Sequence, residues 1–163
     1  MIGRELLKQA AGSRKLLSMA DNESPDKLSA DIARFLTAAQ EHAQRIYSTQ
    51  LDFTERSIKD VELILGRLSE SIPHGRLQKL IRKQPSPEQI AHIALIYGIY
   101  VGEVLRRKLG GEWRLESVDG EKTIGLRLPG GTTVYPASQT YRRLTTGAAE
   151  NVEEFYASIS ERP

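Results

Sequence analysis

The residues with the types and spacing to do chemistry lie in one short stretch, IYGIYVGEVLRRKLGGEW, Ile96 to Trp113. Glu103 has Tyr100 one helical turn before it and Arg106 and Arg107 one turn after it. A carboxylate beside a phenol and a guanidinium could hold a small ligand or move a proton, provided it is partly buried at the edge of a cleft. Tyr97, Tyr100, Glu103 and Arg107 are the residues that would line such a cleft. The plainer reading is an ion pair between Glu103 and Arg107 within one helix, worth a few tenths of a kcal/mol if exposed. The pattern favours the plainer reading. Ala94, Gly98 and Gly102 recur at every fourth position just before the glutamate and form a bare stripe. Glycine inside a helix costs about 0.5–1 kcal/mol relative to alanine, so the stripe calls for a close neighbour that offsets the loss.

Other chemistry finds less support. His42, His74 and His92 fall on separate predicted elements with no HxxxH or HExxH spacing, so no metal site is expected. His92 and Glu103 share a helix face but lie roughly 16 Å apart by the helix rise, too far for an acid–base pair. Ser57, Ser69 and Ser71 lack the GxSxG context of a nucleophile elbow. Pro129 to Thr133, PGGTT, has no lysine and reads as a hairpin turn instead of a phosphate loop. No cofactor is implied. Arg76, Lys79, Arg82 and Lys83 form a short basic run without acids, and Arg106, Arg107, Lys108, Arg142 and Arg143 could join it in space. Such clustering suits phosphate. No aromatic residues interleave with the run, however, and no recognition motif appears, so a solvated surface or a face for an acidic protein partner fits it better than nucleic acid.

These residues need elements to position them. Gly3 to Met19 has loosely helical apolar spacing, weakened at Gly12-Ser13. Ser24-Pro25-Asp26 starts a second helix, whose stripe is Leu28, Ile32, Phe35, Leu36, Ala39, Ala43, Ile46 and Tyr47. Asp52 and Glu55 have capping-box spacing before a third helix that buries Ile58, Val61, Leu65 and Leu68. Ser86-Pro87-Glu88-Gln89 is the clearest helix start, and Gly110-Gly111 is the stop. The period then changes to two. EWRLESV and TIGLRL alternate around a DGEK turn, and a PGG turn leads to TTVY, giving a meander of three antiparallel strands. Helices over Gln139 to Leu144 and through VEEFYASI follow Pro136. The expected fold is one α+β domain over 1–163, with N-terminal helices in 1–50, central helices in 51–110, the sheet in 111–136 and C-terminal helices in 137–160.

Composition bounds the function. At 163 residues the chain can bury a core, and a net charge of +2 implies no partner by itself. The absence of cysteine excludes disulfide and thiol chemistry. No stretch reaches the roughly 18 unbroken apolar residues of a membrane span, and Lys8, Gln9, Arg14 and Lys15 break up the N-terminus. A cytoplasmic protein without membrane association is expected.

The block YGIYVGEVLRRKLGGEW, preceded by LDFTERSIKDVELIL, resembles a pattern in uncharacterised bacterial domain families. In these, an aspartate-aromatic-serine helix precedes a GxYxGE helix, and GGxW opens a small sheet. The resemblance spans Leu51 to Ala157 and leaves out the helical N-terminal third. It implies an α+β fold and a recurring Gly102-Glu103 element, and it is similar to small cytoplasmic proteins that include immunity proteins. It implies no activity and no catalytic residue. The leading expectation is a non-enzymatic protein-binding domain, whose most concrete form is an immunity-type toxin inhibitor. An enzyme or ligand-binding protein using a Glu103/Tyr100 pocket is the first alternative, and a nucleic-acid binder using residues 76–83 the second.

Overall fold

A single helix, Pro87–Leu109, explains most of the architecture. Its residues from Ala94 to Leu105 are all buried, so it is apolar on every side and must lie at the centre of the molecule. A computed structural model of the chain describes residues 25–72 and 85–161. The helix expected over Gly3 to Met19, the Ser24 cap, His74 and the basic residues Arg76, Lys79, Arg82 and Lys83 lie outside the described residues.

Helix α1 (Pro25–Tyr47) buries Ile32, Phe35, Ala39 and Ala43. Ile46 departs from the expected stripe and stands 55% exposed. Helix α2 (Glu55–Ser71) buries Ile58, Val61 and Leu65 as the spacing predicts, with Leu68 partly covered. The capping box expected from Asp52 and Glu55 does not form. Asp52 instead accepts hydrogen bonds from the backbone N–H and hydroxyl of Thr54, and the helix begins at Glu55. The delay has a local cause: Phe53 has φ of +62°, a left-handed conformation that cannot continue into a helix.

Helix α3 (Pro87–Leu109) has the predicted start. The Ser86 side chain accepts from the Gln89 N–H while the Gln89 side chain accepts from the Ser86 N–H. Strands β1 (Glu112–Val118), β2 (Glu121–Arg127) and β3 (Thr133–Val134) form an antiparallel sheet in that order. The first turn is Asp119-Gly120 alone, both with positive φ, so Glu121 and Lys122 belong to β2. Helix α4 (Pro136–Thr146) begins earlier than the expected Gln139, because Pro136 occupies the first turn, where its missing N–H costs nothing. A 3₁₀ turn, Ala148–Glu150, leads to helix α5 (Val152–Ser160), whose Asn151 cap accepts from the N–H groups of Glu153 and Glu154. The result is a helix-rich α+β fold, with α1, α2, α4, α5 and one face of the sheet around α3.

Candidate functional site

The glycine stripe is the joint between α3 and the elements that follow it. A Cβ on Gly98 would lie 2.3 Å from Ala137 Cα and 2.6 Å from its nitrogen, so α4 rests directly on the α3 backbone. One turn earlier, the Thr140 hydroxyl donates to the Ala94 carbonyl at 2.6 Å. A Cβ on Gly102 would lie 2.3 Å from the Trp113 ring and 3.0 Å from Pro136. The close neighbours required by the stripe are therefore α4 and the indole of β1.

Glu103 sits beside that indole and is only 4% exposed. Its Oε2 accepts from Arg106 Nε at 2.8 Å and Trp113 Nε1 at 3.2 Å, and its Oε1 accepts from Arg106 Nη2 at 2.9 Å and Arg107 Nε at 3.1 Å. The sequence signals the Arg107 pair. It does not signal Trp113, whose GGxW placement is visible only as the start of a strand. Burial pushes the Glu103 carboxyl up, but the bonds from Arg106, Trp113 and Arg107 outweigh it, and the net shift is downward.

Tyr100 is fully buried and looks toward the start of α2. Its oxygen accepts from the Phe53 N–H at 2.7 Å and lies 2.7 Å from Ser57 Oγ. Ser57 spends its one proton on the Thr54 carbonyl at 2.6 Å, so Tyr100 must be the donor to Ser57. Each donor and acceptor in this chain is thereby assigned. Phe53 stacks on the Tyr100 ring with centroids 4.9 Å apart, and the Arg107 guanidinium lies 3.8 Å from the Phe53 centroid on its other side. Arg107 thus links Glu103 to the Tyr100 group.

Tyr97 is not part of that group. Its hydroxyl lies 2.8 Å from His42 Nδ1 on α1, and burial pushes its pKa far up. His42 also meets the Tyr47 ring edge, and burial, Arg45 and His92 together lower its pKa. His42 and Tyr47 were not legible as partners of Tyr97 because 55 residues separate His42 from it.

The cations expected to extend a basic face are each paired. Arg106 and Arg107 bind Glu103, Lys108 binds Glu55, Arg142 binds Glu150, and the buried Arg143 binds Glu62. An open depression of about 780 Å³ lies elsewhere, lined by Gln40, Glu41, Gln44, Arg45, Gln50 and Leu51. None of Tyr97, Tyr100, Glu103 and Arg107 lines it. Among the described residues no cluster of three or more His, Asp or Glu side chains could hold a metal ion. No described helix is long and apolar enough to cross a membrane. Comparison with protein-family models, curated proteins and solved structures finds no match to this chain.

Proposed function

We propose that this chain acts in the bacterial cytoplasm by binding another protein without catalysis, most concretely as an immunity-type inhibitor of a toxin. One observation carries the reading: the polar atoms of Tyr97, Tyr100 and Glu103 are bonded to partners inside the fold. Their order serves the scaffold, which leaves recognition to the surface. The basic residues Arg76, Lys79, Arg82 and Lys83 are the proposed contacts with an acidic partner, since charge of one sign steers association and blocks a partner's site by complementarity. With Arg106, Arg107, Lys108, Arg142 and Arg143 each paired with a carboxylate of the same chain, the wider cationic surface that nucleic acid would require is diminished.

The test is co-purification of the tagged chain from its native host at moderate salt, with mass spectrometry of what remains bound. One stoichiometric protein is expected, and the paired changes Arg82→Glu and Lys83→Glu should weaken its binding by roughly tenfold or more. A chain that returns alone, or binding that ignores the charge reversal, overturns the reading. The ligand alternative would then be tested by thermal-shift screening, with Glu103→Gln as its control.

A further inference from the structure

Strand β1 is the outer strand of the sheet, and its pairing with β2 runs unbroken from Glu112↔Arg127 to Val118↔Glu121. The two-residue Asp119-Gly120 turn makes Val118 and Glu121 a hydrogen-bonded pair, so alternate residues follow suit. Glu112, Arg114, Glu116 and Val118 therefore direct their backbone groups toward β2. The phase is consistent with the other side of β2, where Leu128 N–H donates to the Thr132 carbonyl across the next turn. It follows that Trp113, Leu115 and Ser117 direct their N–H and C=O groups to the outer edge, away from β2. No other described residue takes a hydrogen bond from these six groups or gives one to them.

Edge strands are commonly protected by proline, a bulge, lysine or shortness. β1 is seven residues long and has none of these; helix α1 comes close to it without hydrogen bonding to its outward groups. Its solvent face instead carries Glu112, Arg114 and Glu116. Arg114 is about half exposed beside Glu112, at 2.9 Å. Glu116 accepts from the Thr133 and Tyr135 hydroxyls, at 3.3 and 3.1 Å, both neutral. Among the described residues no cation meets this carboxylate.

We infer that the outer edge of β1 pairs with β1 of a second copy, antiparallel about a two-fold axis at Leu115, to make a continuous six-stranded sheet. In this register Leu115 faces Leu115 and Trp113 faces Ser117, so the outward backbone groups of both strands meet in hydrogen-bonded pairs. Arg114 of each copy falls opposite Glu116 of the other, which supplies the missing cation twice per interface. The neighbouring registers that preserve the hydrogen bonding are opposed by charge. One sets Arg114 against Arg114 and Glu112 against Glu116; the other sets Glu116 against Glu116. The strand's own charges thus select one partner, itself, in one alignment.

Sedimentation equilibrium of the full chain over a wide concentration range tests this. A monomer–dimer equilibrium is expected. Glu116→Arg alone, which places arginines opposite each other, should raise the dissociation constant at least roughly tenfold, as should Arg114→Glu alone. The double swap, Arg114→Glu with Glu116→Arg, should restore dimerisation, because it exchanges the two charges without changing the register. Ser117→Pro removes an outward N–H that the monomer does not use, so it should abolish the dimer and leave the helical circular dichroism unchanged. A chain that stays monomeric throughout overturns the inference. So does a dimer that survives Ser117→Pro, or a double swap no better than the single changes.

Discussion

At the scale of single residues, four donors converge on the Glu103 carboxylate and determine what it tolerates. Glutamine has the same shape but would turn an N–H₂ group toward Arg106, Arg107 or Trp113, donor against donor. Glu103→Gln should therefore cost about 1–2 kcal/mol in urea unfolding at neutral pH, kept modest by the partial exposure of both arginines. The carboxyl's pKa is held below its ordinary value of 4.5, so its contribution is complete above that pH and is lost as pH falls through the lower folded value. The difference between wild type and Glu103→Gln should accordingly narrow in acid; a constant difference would mean that the charge is not what matters. His42 runs the other way. Burial, then Arg45 and His92, depress its pKa, and its neutral ring meets Tyr97, Tyr47 and the α1–α3 contact, with Arg67 over the Tyr47 ring. The folded state resists the proton that the unfolded chain accepts near 6.5. Stability should therefore fall as pH drops from about 6.5 through the folded value. His42→Gln should lack this segment of the pH–stability curve, and an identical curve for the variant would sink the assignment.

At the scale of elements, the glycine stripe turns a residue preference into a packing distance. Gly98→Ala improves intrinsic helix propensity by about 0.8–1 kcal/mol, yet its methyl group must displace the Ala137 backbone. Overpacking against backbone costs more than propensity returns, so a net loss of about 2 kcal/mol is expected, read as a lower melting temperature. A rise in melting temperature would show that α4 can move aside without cost. The stripe itself was legible in the sequence, as were the Ser86 capping box, the change from helical to alternating period at Gly110 and the three short strands. Each of these rests on local spacing. The identity of the neighbours was not legible, since nothing within a helix of the α3 sequence points to Ala137 or chooses Trp113 to fill the gap at Gly102. The start of α2 was misplaced for a related reason. Asp52 and Glu55 have capping-box spacing, but Phe53 is held left-handed by Tyr100, 47 residues away, through its N–H bond and ring stacking. A tertiary contact overrode a local signal. Ile46 shows the converse, since periodicity assigns it to the apolar face but no described element covers that part of α1.

At the scale of the whole molecule, the question is what makes α2, α4 and α5 one body with the α3 core. Glu62 and Arg143, 81 residues apart, are both buried and joined at 2.7 Å. The second Glu62 oxygen accepts from the buried Val152 N–H at 2.9 Å, at the positive end of α5, so one carboxylate ties three helices together. A second tie runs parallel to it, from the Ser69 hydroxyl to the Leu144 carbonyl. A buried pair of this kind contributes little compared with a well-packed apolar pair, because both charges lose their water. Breaking it is another matter. Glu62→Met leaves a guanidinium buried without a counter-charge and an α5 N–H without an acceptor, so it should cost about 3–5 kcal/mol, and Arg143→Met should cost a comparable amount. The double change removes both charges and should cost less than the sum by about 2 kcal/mol, measured as a double-mutant cycle in urea. It should not reach wild type, because the Val152 N–H remains unmatched in the double variant. Strict additivity would mean that the two side chains do not act as a pair, and the three helices would then have to be held by apolar contacts and the Ser69–Leu144 bond. Because the tie reaches across the chain, the single variants should weaken amide protection in α5 as well as in α2, a coupling that hydrogen exchange reads directly.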